Sequence, residues 1–317
     1  MTLKRQTTRV HADFAKNFQD MSEPQVGKRY AEWMHAARRA GHLDIEQVVD
    51  FYEIPFAPPA AEAYARDNLT DDAAKALLQK VKPAGWGYNM PLSADWGTMG
   101  QISNPTPNGA LAKRRADYRL NMIYTGLENV LDGGVKGRRV LDIACNWGGF
   151  AIEARLRGAS QATGFDIRDG NVQKAKLLLQ HYGLDGVSFQ QSDLYEFEAE
   201  EPFDVVLNLG LMYHITQPVE MMKKTFDLTR DVAVIDTVTH KEAFSGFILG
   251  TGAAAVEHAA TAVGMELHPT YRGLVDLAYL VGFKDVVEVH GIPEADWEGF
   301  ETEPYGNKTR RCIICRK

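Results

Sequence analysis

Residues 140–150 of this chain read VLDIACNWGGF, and this stretch decides the fold. It begins as a mostly apolar run and ends in small residues, Ala144, Gly148 and Gly149. A short apolar run closed by small residues is typical of a buried strand that turns directly into a helix. The stretch therefore predicts a strand, a tight turn, and a helix whose first backbone N–H groups point into the turn.

Strands and helices alternate outward from this stretch. The pattern predicts strands at 139–144, 162–167, 187–190, 203–209 and 232–238, and helices at 149–157, 171–181 and 219–228. Such alternation is typical of a parallel sheet covered by helices. The last two predicted strands, 285–290 and 309–316, have no helix between them, which indicates an antiparallel pair. We therefore expect an α/β fold with a Rossmann-like seven-stranded sheet that is mostly parallel, with the last strand antiparallel.

Residues 1–110 follow a different pattern. Up to about residue 82 the apolar periodicity is helical, and one predicted helix contains Tyr52 and ends at Pro55. The following loop, 83–110, is rich in proline and glycine but also carries large rings, Trp86, Tyr88 and Trp96. Large aromatic side chains in a long loop indicate that the loop packs against a binding site or against another part of the protein. These side chains therefore either contact the substrate or join two domains. The sequence predicts an N-terminal helical cap with an aromatic-rich loop over 1–110, and a core over 111–317 with an insertion at about 240–268.

The composition limits the partners of the protein. The chain has 317 residues and a formal net charge of −7, whereas a surface built for phosphate backbones is basic. A small-molecule substrate is therefore favoured, and nucleic acid is disfavoured without being excluded. The longest uncharged apolar stretch, 243–256, has 14 residues, fewer than the roughly 20 that a membrane span needs. Because three cysteines give no disulfide framework, we expect a cytoplasmic protein. We also expect no membrane partner and no metal site, and the sequence leaves the oligomeric state undetermined.

A ligand of a doubly wound sheet binds beyond the carboxyl ends of the strands. Asp166 closes the second predicted strand, 20 residues after Asn146. A carboxylate at this position can accept hydrogen bonds from both hydroxyls of a ribose, as it does in nicotinamide dinucleotide sites. These two signals leave open whether the ligand is a dinucleotide or an adenosyl sulfonium compound.

Three further features favour the adenosyl sulfonium ligand. The dinucleotide pattern G-x-G-x-x-G would fall on Ala144, Asn146 and Gly149, so two of its glycines are absent. The Asp142 carboxylate would attract an ammonium group but repel a pyrophosphate. After the third strand, Asp193 can accept from an adenine amino group while the neighbouring Leu194 packs on the ring.

The runs VLDIACNWGGF, GFDI at 164–167, SDL at 192–194 and FDVVLNLG at 203–210 together resemble the motif series of class I S-adenosylmethionine-dependent methyltransferases. That family usually reads D-x-G-x-G-x-G in its first loop, where this chain has Ala144 and Asn146 at the first two glycine positions. The resemblance implies S-adenosylmethionine (SAM) as the cofactor and S-adenosylhomocysteine (SAH) as the product. The cofactor-binding residues that it implies are Asp142, Ala144, Asn146, Trp147, Gly148, Gly149, Asp166, Ile167, Ser192, Asp193, Leu194, Asn208 and Gly210.

A narrower resemblance concerns the segment NLGLMYH at 208–214, followed by Pro218. It is similar to the fourth-strand segment of tRNA wobble-uridine carboxymethyltransferases, in which the tyrosine contacts an extra carboxylate of the donor; Tyr213 matches that tyrosine. Some bacterial methyltransferases of this general build act instead on small sulfur compounds such as methionine. Three hypotheses follow. The first, which the acidic charge favours, is methyl transfer to a small molecule such as an amino-acid-like or thioether acceptor. The second is modification of tRNA, and the third is that the protein is a nicotinamide-dependent oxidoreductase.

Methyl transfer from a sulfonium is an in-line displacement that requires alignment and exclusion of water. An oxygen or nitrogen acceptor that carries a proton also needs a base, and His214 is the first candidate because histidine ordinarily titrates near neutrality. A thioether needs no base, and Tyr213 and His214 would then orient the acceptor. The same segment is therefore predicted to be catalytic and substrate-binding.

Overall fold

The computed structural model describes residues 21–40, 49–82, 89–242, 244–251 and 265–317. The helices of these described residues are α1 (Glu23–Ala40), α2 (Ala60–Asn68), α3 (Asp71–Lys80), α4 (Pro107–Val130), α5 (Gly149–Leu156), α6 (Asp169–Tyr182), α7 (Pro218–Leu228) and α8 (Tyr271–Val281). Their strands are β1 (Asp50–Ile54), β2 (Trp96–Gly97), β3 (Gly100–Gln101), β4 (Arg139–Ile143), β5 (Gln161–Asp166), β6 (Val187–Gln191), β7 (Phe203–Leu209), β8 (Thr229–Val238), β9 (Phe247–Thr251), β10 (Met265–Pro269), β11 (Asp285–Gly291) and β12 (Arg310–Arg316).

The chain divides into two compact units that do not follow chain order. The first unit is Ile54–Phe197 with Gly291–Pro293, and the second is formed by the described parts of Met1–Glu53 with Glu198–His290 and Glu294–Lys317. The predicted boundary at residue 110 between a cap and a core stays a prediction.

In the first unit three strands run parallel, with β5 between β4 and β6. Strand β4 is buried from Val140 to Ile143, as expected for a strand of a parallel sheet that is covered on both faces. Gly164 in β5 leaves space for the ring of Phe189 in β6, because a Cβ at 164 would lie 2.8 Å from that ring. These strands bring the three predicted motif segments to one end of the unit.

In the second unit β7 and β8 run parallel, and β12 runs antiparallel to both β8 and β11. All seven strands predicted for the core are present, and the last of them is the antiparallel one. The predicted α/β, Rossmann-like fold class is therefore confirmed. Cys312 and Cys315 of β12 are both buried.

The N-terminal residues of the second unit contribute helix α1 and strand β1. Tyr30 of α1 stacks on Tyr279 of α8 with ring centroids 4.6 Å apart, and its hydroxyl donates to Asp276. The prediction of a helix through Tyr52 was wrong, because Asp50–Ile54 is a strand. Tyr52 and Ile54 are buried while Glu53 between them is exposed, so the segment has the period-2 burial of a strand.

The predicted insertion contains two antiparallel strands, with Phe247 of β9 opposite Pro269 of β10. Residues 252–264 of the insertion, which include His258, lie outside the described residues. Among the residues that the structure describes, no helix combines the length and apolarity needed to cross a membrane.

A buried carboxylate joins helix α2 to helix α5 within the first unit. Glu153 of α5 is fully buried and accepts hydrogen bonds from the N–H groups of Ala60 and Ala61 at 2.7 and 2.9 Å. Pro59 at the N-cap provides no side-chain cap, so Glu153 satisfies the helix terminus from outside and opposes its dipole. Arg157 Nε donates to the same carboxylate at 2.7 Å.

Glu153→Gln should lower the free energy of unfolding by about 1–3 kcal/mol, because an amide leaves a backbone donor or Arg157 without its buried acceptor. Urea denaturation measures the change. Glu128→Gln is the matched control, since Glu128 also pairs with Arg157, at 3.1 Å, but its side chain is 50% exposed. We expect less than about 1 kcal/mol for the control; equal losses for the two variants would show that Glu153 does not act as a cap.

Candidate functional site

The loop between β4 and α5 has a repeating left-handed backbone. Ala144, Asn146 and Gly148 have φ values of 52°, 52° and 76°. These are the three positions at which the pattern D-x-G-x-G-x-G places glycine. Ala144 and Asn146 therefore adopt the conformation that glycine would supply, although a left-handed conformation costs a residue with a Cβ roughly 1–2 kcal/mol. The departure of the sequence from the family pattern does not change the loop conformation.

Neighbouring backbone and side-chain groups hold this loop in place. The N–H of Cys145 donates to the carbonyl of Phe165 in β5 at 2.8 Å. Gly148 lies against the ring of Phe189, and a Cβ at this position would come within 2.2 Å of that ring. Gly148 is also the N-cap of α5, so the helix begins directly at the end of the loop with its free N–H groups directed back at it.

Asp166 at the end of β5 fixes the loop with its carboxylate. One oxygen accepts the N–H of Asn146 at 3.0 Å, and the other accepts the N–H of Arg168 at 2.9 Å. Asp166 is only 4% exposed, yet each carboxylate oxygen can accept a further hydrogen bond. The adjacent Ile167 is 50% exposed, which leaves an apolar surface beside the acid.

Asp142 is a second buried carboxylate in the same unit. It is 2% exposed, and its Oδ2 atom has no hydrogen-bond partner among the described residues. Burial raises the pKa of Asp142 to about 8, although the Arg119 guanidinium and the N–H of Ala151 act in the opposite direction. Arg119 lies on α4 with its guanidinium 5.2 Å from the ring centroid of Phe150. Arg119 itself is half-buried.

The segment after β6 is tied to the end of β5. The N–H of Ser192 donates to the carbonyl of Asp166 at 3.2 Å, and Oδ1 of Asp193 accepts the N–H of Tyr195 at 2.8 Å. Leu194 is buried. Trp147 is buried as well, with the Lys174 ammonium 5.5 Å from its ring centroid. The predicted cofactor residues from Asp142 to Leu194 therefore belong to one compact unit.

The other two predicted cofactor residues, Asn208 and Gly210, lie in the second unit. The Asn208 side chain is fully buried and donates to Thr225 Oγ1 of α7 at 3.0 Å. Gly210 has a φ of 92° and donates its N–H to the carbonyl of Asp236 at 2.7 Å. Asn208 thus packs against α7, while Gly210 shapes the turn that leads to Tyr213. Their role in cofactor binding stays a prediction.

Tyr213 and His214 lie on a single helical turn, Met212–His214, after β7. His214 Nδ1 is 3.5 Å from Glu266 Oε1, and His268 Nε2 is 2.8 Å from Glu266 Oε2. The Tyr213 ring centroid is 4.1 Å from that of His214 and 5.8 Å from that of His268. We call Tyr213, His214, Glu266 and His268 the imidazole cluster; all four side chains belong to the second unit.

Sequence reasoning singled out Tyr213 and His214 but missed Glu266. The signal that could have revealed it is the alternation in β10, where residues 266 and 268 lie on the same face of the strand. Predicting the contact with His214 would also have required knowing that 265–269 is a strand.

A half-buried cation lies beside Tyr213. The Arg310 guanidinium is 5.9 Å from the Tyr213 ring centroid and donates through Nε to Asp236 at 2.8 Å. Burial opposes the charge of Arg310, but Asp236, Tyr305 and Tyr213 raise its pKa well above the usual value. Arg310 therefore stays cationic and already has a carboxylate partner.

The remaining predicted substrate contacts lie in the aromatic-rich loop. Trp96 is half-buried in the first unit, with the Lys75 ammonium 5.4 Å from its ring centroid. Trp86 and Tyr88 lie outside the described residues. Within the described part of the chain, no group of three or more His, Cys, Asp or Glu side chains is placed to hold a metal ion.

Comparison with known proteins identifies the domain. Residues 135–263 match the family described as "Methyltransferase domain". Ubiquinone biosynthesis O-methyltransferase of Ruegeria pomeroyi is 33% identical over 95 residues, which are 30% of this chain and 38% of that protein. The same-named protein of Maricaulis maris is 36% identical over 88 residues, 26% of this chain and 33% of that protein. The chain thus matches less than half the length of these curated relatives.

A solved structure shares the fold at low sequence identity. The N-terminal domain of EvdMO1, solved in the presence of SAH and D-fucose, superposes with a TM-score of 0.54 at 13% identity, covering 78% of this chain and 97% of that one. The comparisons give no support to the narrower resemblance to tRNA wobble-uridine carboxymethyltransferases. By its fold and by the match over residues 135–263, the chain carries a class I S-adenosylmethionine-dependent methyltransferase domain.

Proposed function

We propose that the protein transfers the methyl group of SAM to an oxygen atom of a small-molecule acceptor. The observation that carries the proposal is a pair of buried carboxyl groups at the left-handed loop: Asp142, which precedes it in the chain, and Asp166, which accepts a hydrogen bond from it. When bound, SAM supplies an electrophilic methyl carbon on a sulfonium. The following steps concern what the residues of this chain do for the donor and the acceptor.

The Asp142 oxygen that has no hydrogen-bond partner among the described residues is better suited to bind SAM than to bind a nucleotide pyrophosphate. Asp142 Oδ2 is buried and has no hydrogen-bond partner among the described residues, so it can accept from an ammonium group such as that of the methionine part. An ammonium would also offset the cost of ionising this buried carboxyl. A pyrophosphate at the same place would meet the buried carboxylate of Asp166 and would raise further the cost of ionising Asp142.

Asp166 is suited to the ribose. Its two oxygens are held by backbone N–H groups, so they are oriented in advance and each retains accepting capacity for a hydroxyl. Ile167 and Leu194 add apolar surface beside the acid for an adenine ring, and Asp193 can accept from the ring's amino group. The donor site would thus be formed by the first unit.

The acceptor is assigned to oxygen for two reasons. The curated relatives are named O-methyltransferases. The residues proposed to contact the acceptor include a histidine, and an imidazole group can take up a proton. The methionine-type acceptor suggested by the sequence has no support among these relatives. Tyr213 and His214 would orient the acceptor, since they follow the end of β7, and ligands of doubly wound sheets bind beyond strand ends.

The proposed function is tested by binding and by label transfer. We expect calorimetric titration to detect SAM and SAH but neither NAD nor NADP. Label from [methyl-³H]SAM should pass to a low-molecular-weight cell extract and not to bulk tRNA. Binding of a nicotinamide nucleotide in place of SAM, or labelling of tRNA alone, would contradict the proposal.

Asp166→Ala should weaken SAM binding by about 1–3 kcal/mol, because the charge-assisted hydrogen bonds to the ribose are lost. Calorimetry measures the dissociation constant at fixed pH and salt. Asp169→Ala is the matched control, since Asp169 lies three residues further along and is exposed. Equal affinities of wild type and Asp166→Ala would rule out the ribose assignment.

Asp142 predicts an unusual pH dependence of stability without the donor. Its pKa is about 8 in the folded chain and near the usual 3.8 when unfolded, so the folded form holds an extra proton between these values. The stabilising contribution of the protonated carboxyl is complete below pH 4 and is lost as the pH rises to about 8. The loss amounts to at most about 1.4 kcal/mol per pH unit.

Asp142→Asn should remove this slope, because the amide does not titrate. Urea denaturation of the donor-free protein at pH 5 and pH 7.5 should therefore show a smaller decrease for the variant than for wild type. Asp169→Asn, at an exposed position, should keep the wild-type decrease. Parallel pH profiles for wild type and Asp142→Asn would mean that Asp142 is ionised throughout.

A further inference from the structure

The side chain of Asn146 carries a buried acceptor. Its Oδ1 atom is shielded from solvent and has no hydrogen-bond partner among the described residues, and the same holds for Asp142 Oδ2. A buried carbonyl oxygen without a donor costs free energy. The backbone adds to this cost, because Asn146 has a φ of 52°, where a glycine would be unstrained. The loop alone therefore does not explain an asparagine at this position.

The carboxyl groups of Asp142 and Asp166 lie close to Asn146. The N–H of Asn146 donates to Asp166 Oδ2 at 3.0 Å. Burial raises the pKa of the neighbouring Cys145 thiol well above its usual range, and Asp142 and Asp166 raise it further. Both carboxyl groups therefore act at this turn of the chain, and all four residues belong to the first unit.

We propose that the side-chain oxygen of Asn146 accepts a hydrogen bond from the ammonium group of SAM and SAH, beside Asp142. This inference rests on the proposed function and makes Asn146 a residue that selects ligands with a free amino group. A glycine, which the usual D-x-G-x-G-x-G pattern places here, has no side chain with which to do so.

The number of N–H groups on the ligand supports the assignment. An ammonium group has three hydrogens to donate, whereas Asp142 offers one buried oxygen that lacks a donor. The two oxygens of Asp166 can accept from the two ribose hydroxyls. The ammonium group therefore needs a further acceptor, and Asn146 Oδ1 is a buried acceptor in the same loop.

A neutral acceptor suits this place better than a further carboxylate. Burial raises the pKa of Asp142 to about 8, and the charge of Asp166 acts in the same direction. Another carboxylate would make the ionisation of Asp142 still more costly. An amide oxygen adds a hydrogen bond for a cation without adding a like charge.

Calorimetric titration of the full-length protein with two ligands tests the inference. The ligands are SAH and its deaminated analogue, in which a hydrogen atom replaces the amino group and the rest of the molecule is unchanged. We expect Asn146→Gly to bind SAH about tenfold more weakly than wild type, because one hydrogen bond to the ammonium group is lost. The analogue should bind wild type and Asn146→Gly equally.

Asn146→Gly should also be more stable than wild type when no ligand is bound. Glycine removes both the unpaired buried oxygen and the left-handed strain. The midpoint of urea denaturation should therefore move to a higher urea concentration. A side chain that supported the loop structure would give the opposite shift, so the two readouts separate a ligand contact from a structural role.

Lys308→Gly is the matched control for backbone strain. Lys308 also has a left-handed backbone, with a φ of 62°, but it is exposed and lies in the second unit. Its replacement should raise the urea midpoint as well, while SAH and the deaminated analogue bind as they do to wild type.

Each of the other outcomes overturns the inference. Equal weakening of SAH and of the analogue would assign the Asn146 side chain to another part of the ligand. Unchanged SAH affinity, a lower urea midpoint, or failure of Asn146→Gly to fold would show that the side chain does not hold the ammonium group. If wild type binds neither SAM nor SAH, the proposed function itself fails; wild-type binding with unchanged affinity in Asn146→Gly refutes the inference alone.

Discussion

The proposed donor site depends on two carboxyl groups that are buried close enough to affect each other. Asp142 and Asp166 are 2% and 4% exposed, and Asp166 contributes to the raised pKa of Asp142. Buried like charges are costly unless they are compensated. Asp166 is compensated by two backbone N–H groups, whereas Asp142 remains protonated near neutrality. A cationic ligand group at Asp142 removes this conflict, and that is the physical reason for assigning the site to an ammonium-bearing donor.

Much of the fold follows from periodicity alone. The seven core strands are short apolar runs separated by helices, and their buried faces leave little choice of secondary structure. β1 was missed because Leu43 to Tyr52 also fits a helical period, and the alternation of Tyr52, Glu53 and Ile54 is too short to outweigh it. Strands β9 and β10 were missed for a similar reason, because the glycines and aromatic residues of the insertion give no clear hydrophobic period. The pairing of Phe247 with Pro269 depends on the tertiary structure, which a sequence pattern does not reveal.

The donor side of the candidate site was more predictable than the acceptor side. Asp142 and Asp166 are fixed by their position at strand ends, which sequence patterns locate well. Glu266 is 52 residues from His214, and its approach depends on a strand pair within an insertion. The amide nitrogen of Asn208 donates to Thr225 Oγ1, and the predicted role of this residue in cofactor binding stays a prediction.

The left-handed loop shows how the site can keep its shape without the usual glycines. Ala144 and Asn146 each carry a Cβ in a conformation that disfavours it, so the loop needs compensating bonds. Asp166 supplies one through the N–H of Asn146, and Phe165 supplies another through the N–H of Cys145. The same carboxylate that is proposed to bind the ribose therefore also holds the loop. Because one group serves both purposes, the loop conformation is set before the donor arrives, and less ordering is required on binding.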